Sequence, residues 1–141
     1  MKRFKFNLEK ILQLRKFREE ECKLALGQAV SFLHKIENEI KETALKKHGA
    51  SSRRFMDVTE IASWENYIKR LDQQAERLTE QAAQAQIAVE EKRALYLEAQ
   101  KDLKAMEKLK EKRQKEHRRE MFNYEMNEMD NLTAARQAIR Q

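Results

Sequence analysis

The stretch IASWENYIKRLDQQAERLTEQAAQAQIAV, Ile61–Val89, decides the fold of this 141-residue chain. Its apolar side chains recur at alternating steps of three and four residues, and the same spacing continues to Met106. Thirteen of the fourteen positions on this stripe are apolar, and Lys92 is the exception. A seven-residue repeat kept over this length predicts a helix that supercoils with a partner helix along a narrow seam.

A shorter stripe of the same kind lies earlier in the chain and is the candidate partner. Its members are Cys22, Leu26, Ala29, Leu33, Ile36 and Ile40. The helix that carries it is expected over about residues 7–48, with Asn7 as its N-cap. Gly49 follows a basic last turn and is expected to end the helix in the left-handed conformation. The connecting loop is then expected over about residues 49–57.

The two stripes predict an all-α fold: a long antiparallel two-helix coiled-coil hairpin in which the second helix extends beyond the first. Asp57 and Glu60 stand three residues apart, as in a capping box, so the second helix is expected over about 58–130. A frayed tail, 131–141, follows, and 1–141 is expected to be a single coiled-coil unit. The predicted seam residues are Leu26, Leu33, Ile36, Ile40, Ile61, Trp64, Ile68, Leu71, Leu78, Val89 and Leu103.

The composition suits long helices and disfavours several classes of function. The chain has no proline, two glycines, one cysteine and 38% charged residues. Two glycines cannot build a glycine-rich phosphate loop, and the three histidines, His34, His48 and His117, lie far apart in the sequence. We therefore expect no enzyme activity, no catalytic residues, no cofactor and no metal site. Cys22 falls on the seam, where a small buried side chain is the ordinary interpretation.

The sequence also bears on the compartment. No run of 18 apolar residues occurs, and the basic N-terminal MKRFKFNLEKIL lacks a small-residue cleavage site. We therefore expect a cytoplasmic protein that neither spans a membrane nor is secreted.

Positive charge is concentrated in KLKEKRQKEHRR, Lys108–Arg119, which has seven basic and two acidic residues. A turn centred near residue 53 would place Leu8 beside about residue 98, so this basic stretch is expected to be an unpaired overhang. Apolar residues near the N-terminus, from Phe4 to Phe17, point in too many directions for one seam. Both features predict a docking surface at the end that holds the chain termini. A solvated helix face and a nucleic-acid-binding or membrane-surface-binding helix are the alternatives.

Three motifs along the chain carry a family resemblance. FKFNLEKILQLR, Phe4–Arg15, resembles the F-x-F-x-L-x-x-(I/V/L)-L-x-L-(R/K) opening of the FliJ family of flagellar export proteins. EKLKEKR, Glu107–Arg113, is similar to its late basic segment, and Glu128-Met129-Asp130 is similar to the acidic element that follows. The resemblance spans nearly the whole chain.

This resemblance implies a non-enzymatic component of the flagellar type III protein export apparatus. Members of the family are antiparallel coiled coils, similar to the central stalk of rotary ATPases, that insert into the hexameric export ATPase FliI. They also contact the cytoplasmic domain of the export gate FlhA and some export chaperones. The implied location is cytoplasmic, peripheral to the inner membrane at the flagellar base, with no nucleic acid as partner. A stalk of a virulence-type secretion or rotary ATPase system, and a coiled-coil nucleic-acid or membrane-surface binder, remain alternatives.

Two sets of partner-contact residues follow from the resemblance together with the placement of charge and apolar side chains. The predicted ATPase-docking residues are Phe4, Leu8, Ile11, Lys108, Lys110, Arg113, Arg118 and Arg119. The predicted export-gate contacts, chosen because they lie off the seam or at its flank, are Leu24, Phe32, Leu45, Tyr67 and Ile87.

Overall fold

The computed structural model describes residues 3–52, 54 and 57–140, and in that part of the chain it contains two helices and no strand. Helix α1 runs over Glu9–Ser51 and helix α2 over Val58–Arg140. The two helices pack against each other in antiparallel directions, and α2 continues past the first described residues of the chain. The predicted all-α hairpin with a longer second helix is confirmed.

The hairpin divides into two compact units, each of which contains a segment of both helices. We call Glu20–Glu98 the loop unit, because it holds the connection between the helices. The second unit, called the terminal unit, consists of the described part of Met1–Glu19 and Ala99–Gln141. The expectation that residues 1–141 form a single coiled-coil unit stays a prediction.

The core of the loop unit is a seam of buried apolar side chains from both helices. Leu33 and Ile36 of α1 meet Leu78, Ala85 and Val89 of α2. Burial of each large aliphatic side chain contributes about 1.5–3 kcal/mol relative to exposure, so this cluster supplies most of the apolar stabilisation of the unit. Around it pack the partly buried side chains of Leu26, Ala29, Val30, Ile40 and Ala82.

The seam of α1 extends one step beyond the stripe read from the sequence. Thr43 lies three residues after Ile40 and is only 4% exposed. Its hydroxyl donates a hydrogen bond to the carbonyl of Glu39 at 2.9 Å, which satisfies the buried polar group within the helix. A threonine can therefore occupy a seam position that a count of apolar residues leaves out.

The ends of the two helices around the connection differ in how well the sequence predicted them. The Oδ1 of Asp57 accepts a hydrogen bond from the backbone N–H of Glu60 at 2.8 Å, so the predicted cap of α2 is confirmed. The prediction for Gly49 is wrong, because Gly49 lies inside α1 and no glycine in the described part of the chain has a positive φ. Instead, the Ser51 hydroxyl donates to the His48 carbonyl and the Ser52 hydroxyl to the Gly49 carbonyl, at 2.8 and 3.0 Å.

The alignment of the helices in the loop unit is set by contacts near the connection. Trp64 Nε1 donates to the carbonyl of Ala50 at 2.7 Å, and Lys47 Nζ lies 2.6 Å from Asp72 Oδ1. The residues of α2 before Trp64 therefore precede the paired region. For this reason Val58 is 81% and Ile61 is 41% exposed. Ile61 was predicted to lie in the seam, and it does not join the buried side chains there.

Other predicted seam residues are placed as follows. Leu33, Ile36, Leu71, Leu78 and Val89 are buried, while Leu26, Ile40, Trp64, Ile68 and Leu103 are half-buried. A two-helix seam covers each side chain from one side only, so partial burial is the expected condition for many of its members.

Helix α1 begins slightly later, and helix α2 ends later, than the sequence predicted. Asn7 is not the cap of α1, because the helix begins at Glu9, whose N–H donates to the Phe6 carbonyl at 3.2 Å. Helix α2 continues to Arg140 instead of ending at about residue 130 before a frayed tail.

Candidate functional site

The segment before α1 packs against α2 within the terminal unit. Phe6 is 8% exposed, and Leu12, in the first turns of α1, is 1% exposed. Leu8 and Phe4 are half-buried. Residues 4–8, which are not helical and end in a turn, therefore form a strap whose apolar side chains are covered by α2 rather than free.

The basic side chains of α2 make specific contacts with this strap. The Arg113 guanidinium lies over the Phe6 ring at 5.8 Å from its centre, and its Nη1 donates to Asn7 Oδ1 at 2.6 Å. The ring centres of His117 and Phe4 are 5.5 Å apart, with the planes tilted by 47°. A cation over an aromatic face is attracted by the ring quadrupole, so Arg113 both holds Asn7 and covers Phe6.

An ion pair ties the first turn of α1 to α2. Lys110 Nζ lies 2.9 Å from Glu9 Oε2, and Gln13 Nε2 donates to Glu9 Oε1 at 3.1 Å. Lys110, and to a lesser extent Gln13, hold the pKa of the Glu9 carboxyl below its usual value of 4.5, because both hydrogen bonds favour the charged form. About two turns further along α1, Arg15 and Arg18 approach Asp102 at 3.6 and 3.9 Å.

These contacts correct the expectation that the whole basic stretch is an unpaired overhang. Lys110, Arg113 and His117 are half-buried, and each faces a residue of the strap or of the first turn of α1. The reason is the alignment of the helices, which pairs Glu9 with Lys110 and not with a residue near 98. The part of α2 that lies fully exposed is the later segment, residues 122–140.

A second face of α2 in the terminal unit carries the exposed positive charge. Six cations recur at steps of three or four residues, so they lie on one line along the helix. We call them the cationic stripe: Lys101, Lys104, Lys108, Lys112, Lys115 and Arg119, all exposed. In the described structure one of them, Lys115, has an ion pair, with Glu111 at 3.3 Å. Such a row of like charges attracts an acidic surface.

The sequence-based docking set divides accordingly. Lys108, Arg118 and Arg119 are exposed, whereas Lys110 and Arg113 hold the strap in place. Lys101 and Lys104, which lie before the basic stretch, escaped the prediction. Their helical spacing to Lys108 was the signal that could have found them.

The first turns of α1 expose an apolar patch beside several cations. Ile11, Leu14 and Phe17 are 40%, 67% and 58% exposed. Of these, Ile11 belongs to the predicted docking set, and the other two are part of the apolar surplus noted near the N-terminus. Apolar side chains this exposed gain stabilisation only when a partner covers them.

The five predicted gate residues all lie in the loop unit, and all are exposed. They do not form one continuous patch. Tyr67 lines an open cleft with Trp64 and Gly49, next to the connection between the helices. Leu24 lines a shallow depression around Gly27 on α1. Phe32, Leu45 and Ile87 are 59%, 71% and 57% exposed.

Two kinds of site are absent from the part of the chain that the structure describes. Within residues 3–52, 54 and 57–140, no three or more His, Cys, Asp or Glu side chains are placed to hold a metal ion. The same ranges contain no helix long and apolar enough to cross a membrane. Cys22 is a half-buried free thiol.

Comparison with known proteins agrees with the motifs. Curated proteins and solved structures gave no match to the chain. The sequence profile of the family described as flagellar FliJ protein matches residues 4–141, which is nearly the whole chain. This match includes the strap, the cationic stripe and the exposed end of α2, and by it the chain belongs to the FliJ family.

Proposed function

We propose that this protein is a non-enzymatic component of the flagellar type III export apparatus, a stalk-like coiled coil that docks into the hexameric export ATPase by its terminal unit. The observation that supports this most directly is the cationic stripe of α2, an exposed line of six cations on one helix face. A stalk that enters a ring meets carbonyl groups and acidic side chains, and a row of cations suits such a lining. The apolar patch of Ile11, Leu14 and Phe17 supplies burial once contact is made.

The strap has a supporting role in this proposal. Three of the residues that were predicted to touch the ATPase already have partners within the chain. Phe4 contacts His117, Lys110 pairs with Glu9, and Arg113 donates to Asn7. We therefore assign them to positioning the terminal unit, and we assign direct contact to Lys108, Arg119 and Ile11. Leu8 is half-buried and belongs with the positioning residues, whereas Arg118 is exposed and belongs with the contact residues.

The test is a binding assay with the hexameric FliI-like ATPase and the full-length protein. Reversal of three stripe cations, Lys108→Glu, Lys112→Glu and Arg119→Glu, should weaken association at least about tenfold, since rim charges of this kind set encounter and salt dependence. Binding of the unmodified protein should weaken as salt is raised.

The matched control reverses three exposed cations of the loop unit, Lys35, Lys41 and Lys69, which changes the net charge by the same amount. This variant should retain ATPase binding, and both variants should keep the helical circular dichroism of the parent. Equal loss in the two variants would mean that net charge and not the stripe governs binding.

Contact with the cytoplasmic domain of the FlhA gate and with export chaperones belongs to the same proposal. Exposed apolar side chains of the loop unit, above all Phe32 and Leu45, are the surface that we assign to the gate. Phe32→Ala should weaken binding to that domain without changing ATPase binding, and Ser31→Ala beside it is the control. A cytoplasmic location, peripheral to the inner membrane at the flagellar base, is part of the same proposal and is supported by the family match.

A straight cationic stripe also suits a polyanion, so a nucleic acid or an anionic membrane surface is the second candidate partner. Retention of the protein on duplex DNA or on anionic vesicles at about 150 mM salt, with no association with the ATPase, would favour that candidate. The family match favours the flagellar alternative over a virulence-type or rotary ATPase stalk.

A further inference from the structure

The exposed end of α2 carries an apolar stripe of its own. Every residue from 122 to 140 is exposed, so no described part of the chain covers this segment. Five of its six exposed large hydrophobic side chains are Phe122, Met126, Met129, Leu132 and Ile139, with exposed fractions of 62%, 44%, 63%, 64% and 83%. The sixth, Tyr124, lies on another side of the helix and donates a hydrogen bond to Glu128. Helical spacing puts all five within one side of the helix, which makes the segment amphipathic.

This stripe is not a continuation of the seam that faces the strap. The seam side of α2 in the terminal unit is marked by Lys110, Arg113 and His117, which contact residues 4–9. At about 100° per residue, the line through Phe122 and Met129 lies roughly a third of a turn around the helix from that side. The side of α2 that contacts residues 4–9 is therefore not the side that carries this stripe, and contacts along that side would leave the stripe exposed.

The stripe has the spacing of a short coiled-coil seam and is complementary to itself. Positions 122, 125, 129, 132, 136 and 139 alternate steps of three and four residues, and they are Phe, Glu, Met, Leu, Arg and Ile. A second copy of this segment can be laid alongside in the antiparallel direction, centred between Asp130 and Asn131. Each apolar position then meets an apolar position, and each acidic position meets a basic one. The layers are Phe122 with Ile139, Glu125 with Arg136, and Met129 with Leu132, each occurring twice by symmetry.

We infer that residues 122–139 of two copies of this chain pair as an antiparallel coiled coil, in which four apolar layers are held in register by two Glu125–Arg136 charge layers. The charge complementarity selects a second copy over an unrelated partner, because an acidic and a basic residue stand at equal distances from one centre. A two-fold axis at that centre closes the pair, so the contact ends with two chains.

The size of the contact predicts that the pairing is weak and reversible. Two helical segments of this length bury no more than the lower end of a specific interface, about 1,200 Å² in total. Association in the micromolar range follows from such an area when the layers are well matched. Pairing and release could then alternate as the concentration of the protein changes locally. The inference does not depend on the proposed ATPase docking, which uses other residues.

The test is sedimentation velocity on the full-length protein over about 5–500 µM, a range that brackets weak micromolar association. We expect the weight-average mass to rise from that of a monomer toward that of a dimer. A purely monomeric protein at the highest concentration overturns the inference, as does growth beyond a dimer.

Charge swaps identify the orientation and the register. Glu125→Arg places Arg opposite Arg in both charge layers, and Arg136→Glu places Glu opposite Glu, so each variant alone should associate at least about tenfold more weakly. An equimolar mixture of the two should restore dimers, since each charge layer again joins opposite charges. A parallel pair would instead set Glu125 beside Glu125 and Arg136 beside Arg136 in the parent, so its mixture would associate more tightly than the parent and not equally. That outcome, or failure of the mixture to associate, overturns the proposed orientation and register.

Controls separate this effect from a change in net charge or in folding. Asp130→Arg alters the charge as much as Glu125→Arg but lies on the other side of the helix, and it should leave the dimer unchanged. All variants should keep the helical signal of the parent. As a second measurement, Met129→Cys and Leu132→Cys chains, each with Cys22→Ala, should form a disulfide with each other faster than either forms one alone.

Discussion

The loop unit and the terminal unit are built from the same two helices but are held together by different interactions. In the loop unit, aliphatic side chains such as Leu33, Leu78 and Val89 form the contact, and the ion pair of Lys47 with Asp72 joins its helices. In the terminal unit, buried apolar side chains such as Phe6 and Leu12 are joined by polar contacts, among them Lys110 with Glu9 and Arg113 with Asn7. The difference teaches that charged and polar contacts can be added to an apolar seam while the helices stay paired.

This change has a functional side. Apolar layers are insensitive to salt and to pH, whereas exposed ion pairs are screened and contribute about 1 kcal/mol or less each. The terminal unit is therefore the part of the molecule that a charged partner can rearrange most easily. It is also the part to which we assign docking.

The largest expected difference between the two units comes from Leu78→Asp, which should destabilise the loop unit. Leu78 is 5% exposed, and replacing it by a carboxylate removes apolar burial and places a charge in the seam. We expect the free energy of unfolding to fall by at least about 3 kcal/mol, measured by urea unfolding with circular dichroism. Gln81→Asp, at an exposed position one turn away, should change it by no more than about 0.5 kcal/mol. Equal midpoints for the two variants would contradict the assignment of the seam.

In the terminal unit the corresponding change is Arg113→Ala. It removes the cation over Phe6 and the hydrogen bond to Asn7, which together should cost about 1–2 kcal/mol. The expected readout is faster amide hydrogen exchange in residues 4–8, with exchange in the loop unit unchanged. Arg118→Ala, at an exposed position on the same helix, is the control. The strap is not held by Arg113 if both variants exchange alike.

Gly27→Ala sharpens the comparison in the opposite direction, because it should stabilise the loop unit. Gly27 lies in the middle of α1, and a Cβ added there would meet no atom within 4 Å. Alanine is favoured over glycine in a helix interior by about 0.8–1.0 kcal/mol, so the thermal midpoint should rise. Gly49→Ala, equally open but near the end of α1, should give less because the last turn frays. A lower midpoint for Gly27→Ala would show a steric constraint that the structure does not contain.

The smallest expected effect concerns the charge of Glu9. Its folded pKa is lowered by Lys110, so the contribution of this carboxyl to stability is present above pH 4.5 and is lost as the pH falls through the lowered value. In Lys110→Met the pKa of Glu9 should move back up toward 4.5, as followed by NMR of the side-chain carboxyl. Lys108→Met, whose side chain lies on the cationic stripe, should leave the titration of Glu9 where it is. An identical titration of Glu9 in the parent and in Lys110→Met would show that Lys110 does not lower the pKa of Glu9.

The sequence by itself determined the all-α hairpin, because thirteen apolar positions at heptad spacing leave a helix no arrangement other than pairing along that stripe. It also determined the start of α2, since the cap by Asp57 is a contact between residues three apart. The predicted end of α1 failed because the hydroxyl groups of Ser51 and Ser52 satisfy the last carbonyls without a left-handed glycine.

Only the tertiary structure decided the alignment of the two helices, and with it the role of the basic stretch. A heptad repeat is periodic, so sliding one helix by a whole repeat preserves the seam and the pattern cannot choose among the alternatives. Contacts between residues far apart in the chain make the choice, such as Trp64 with Ala50 and Arg113 with Asn7. They turn Lys110 and Arg113 toward the strap and leave the cationic stripe and the end of α2 for other molecules.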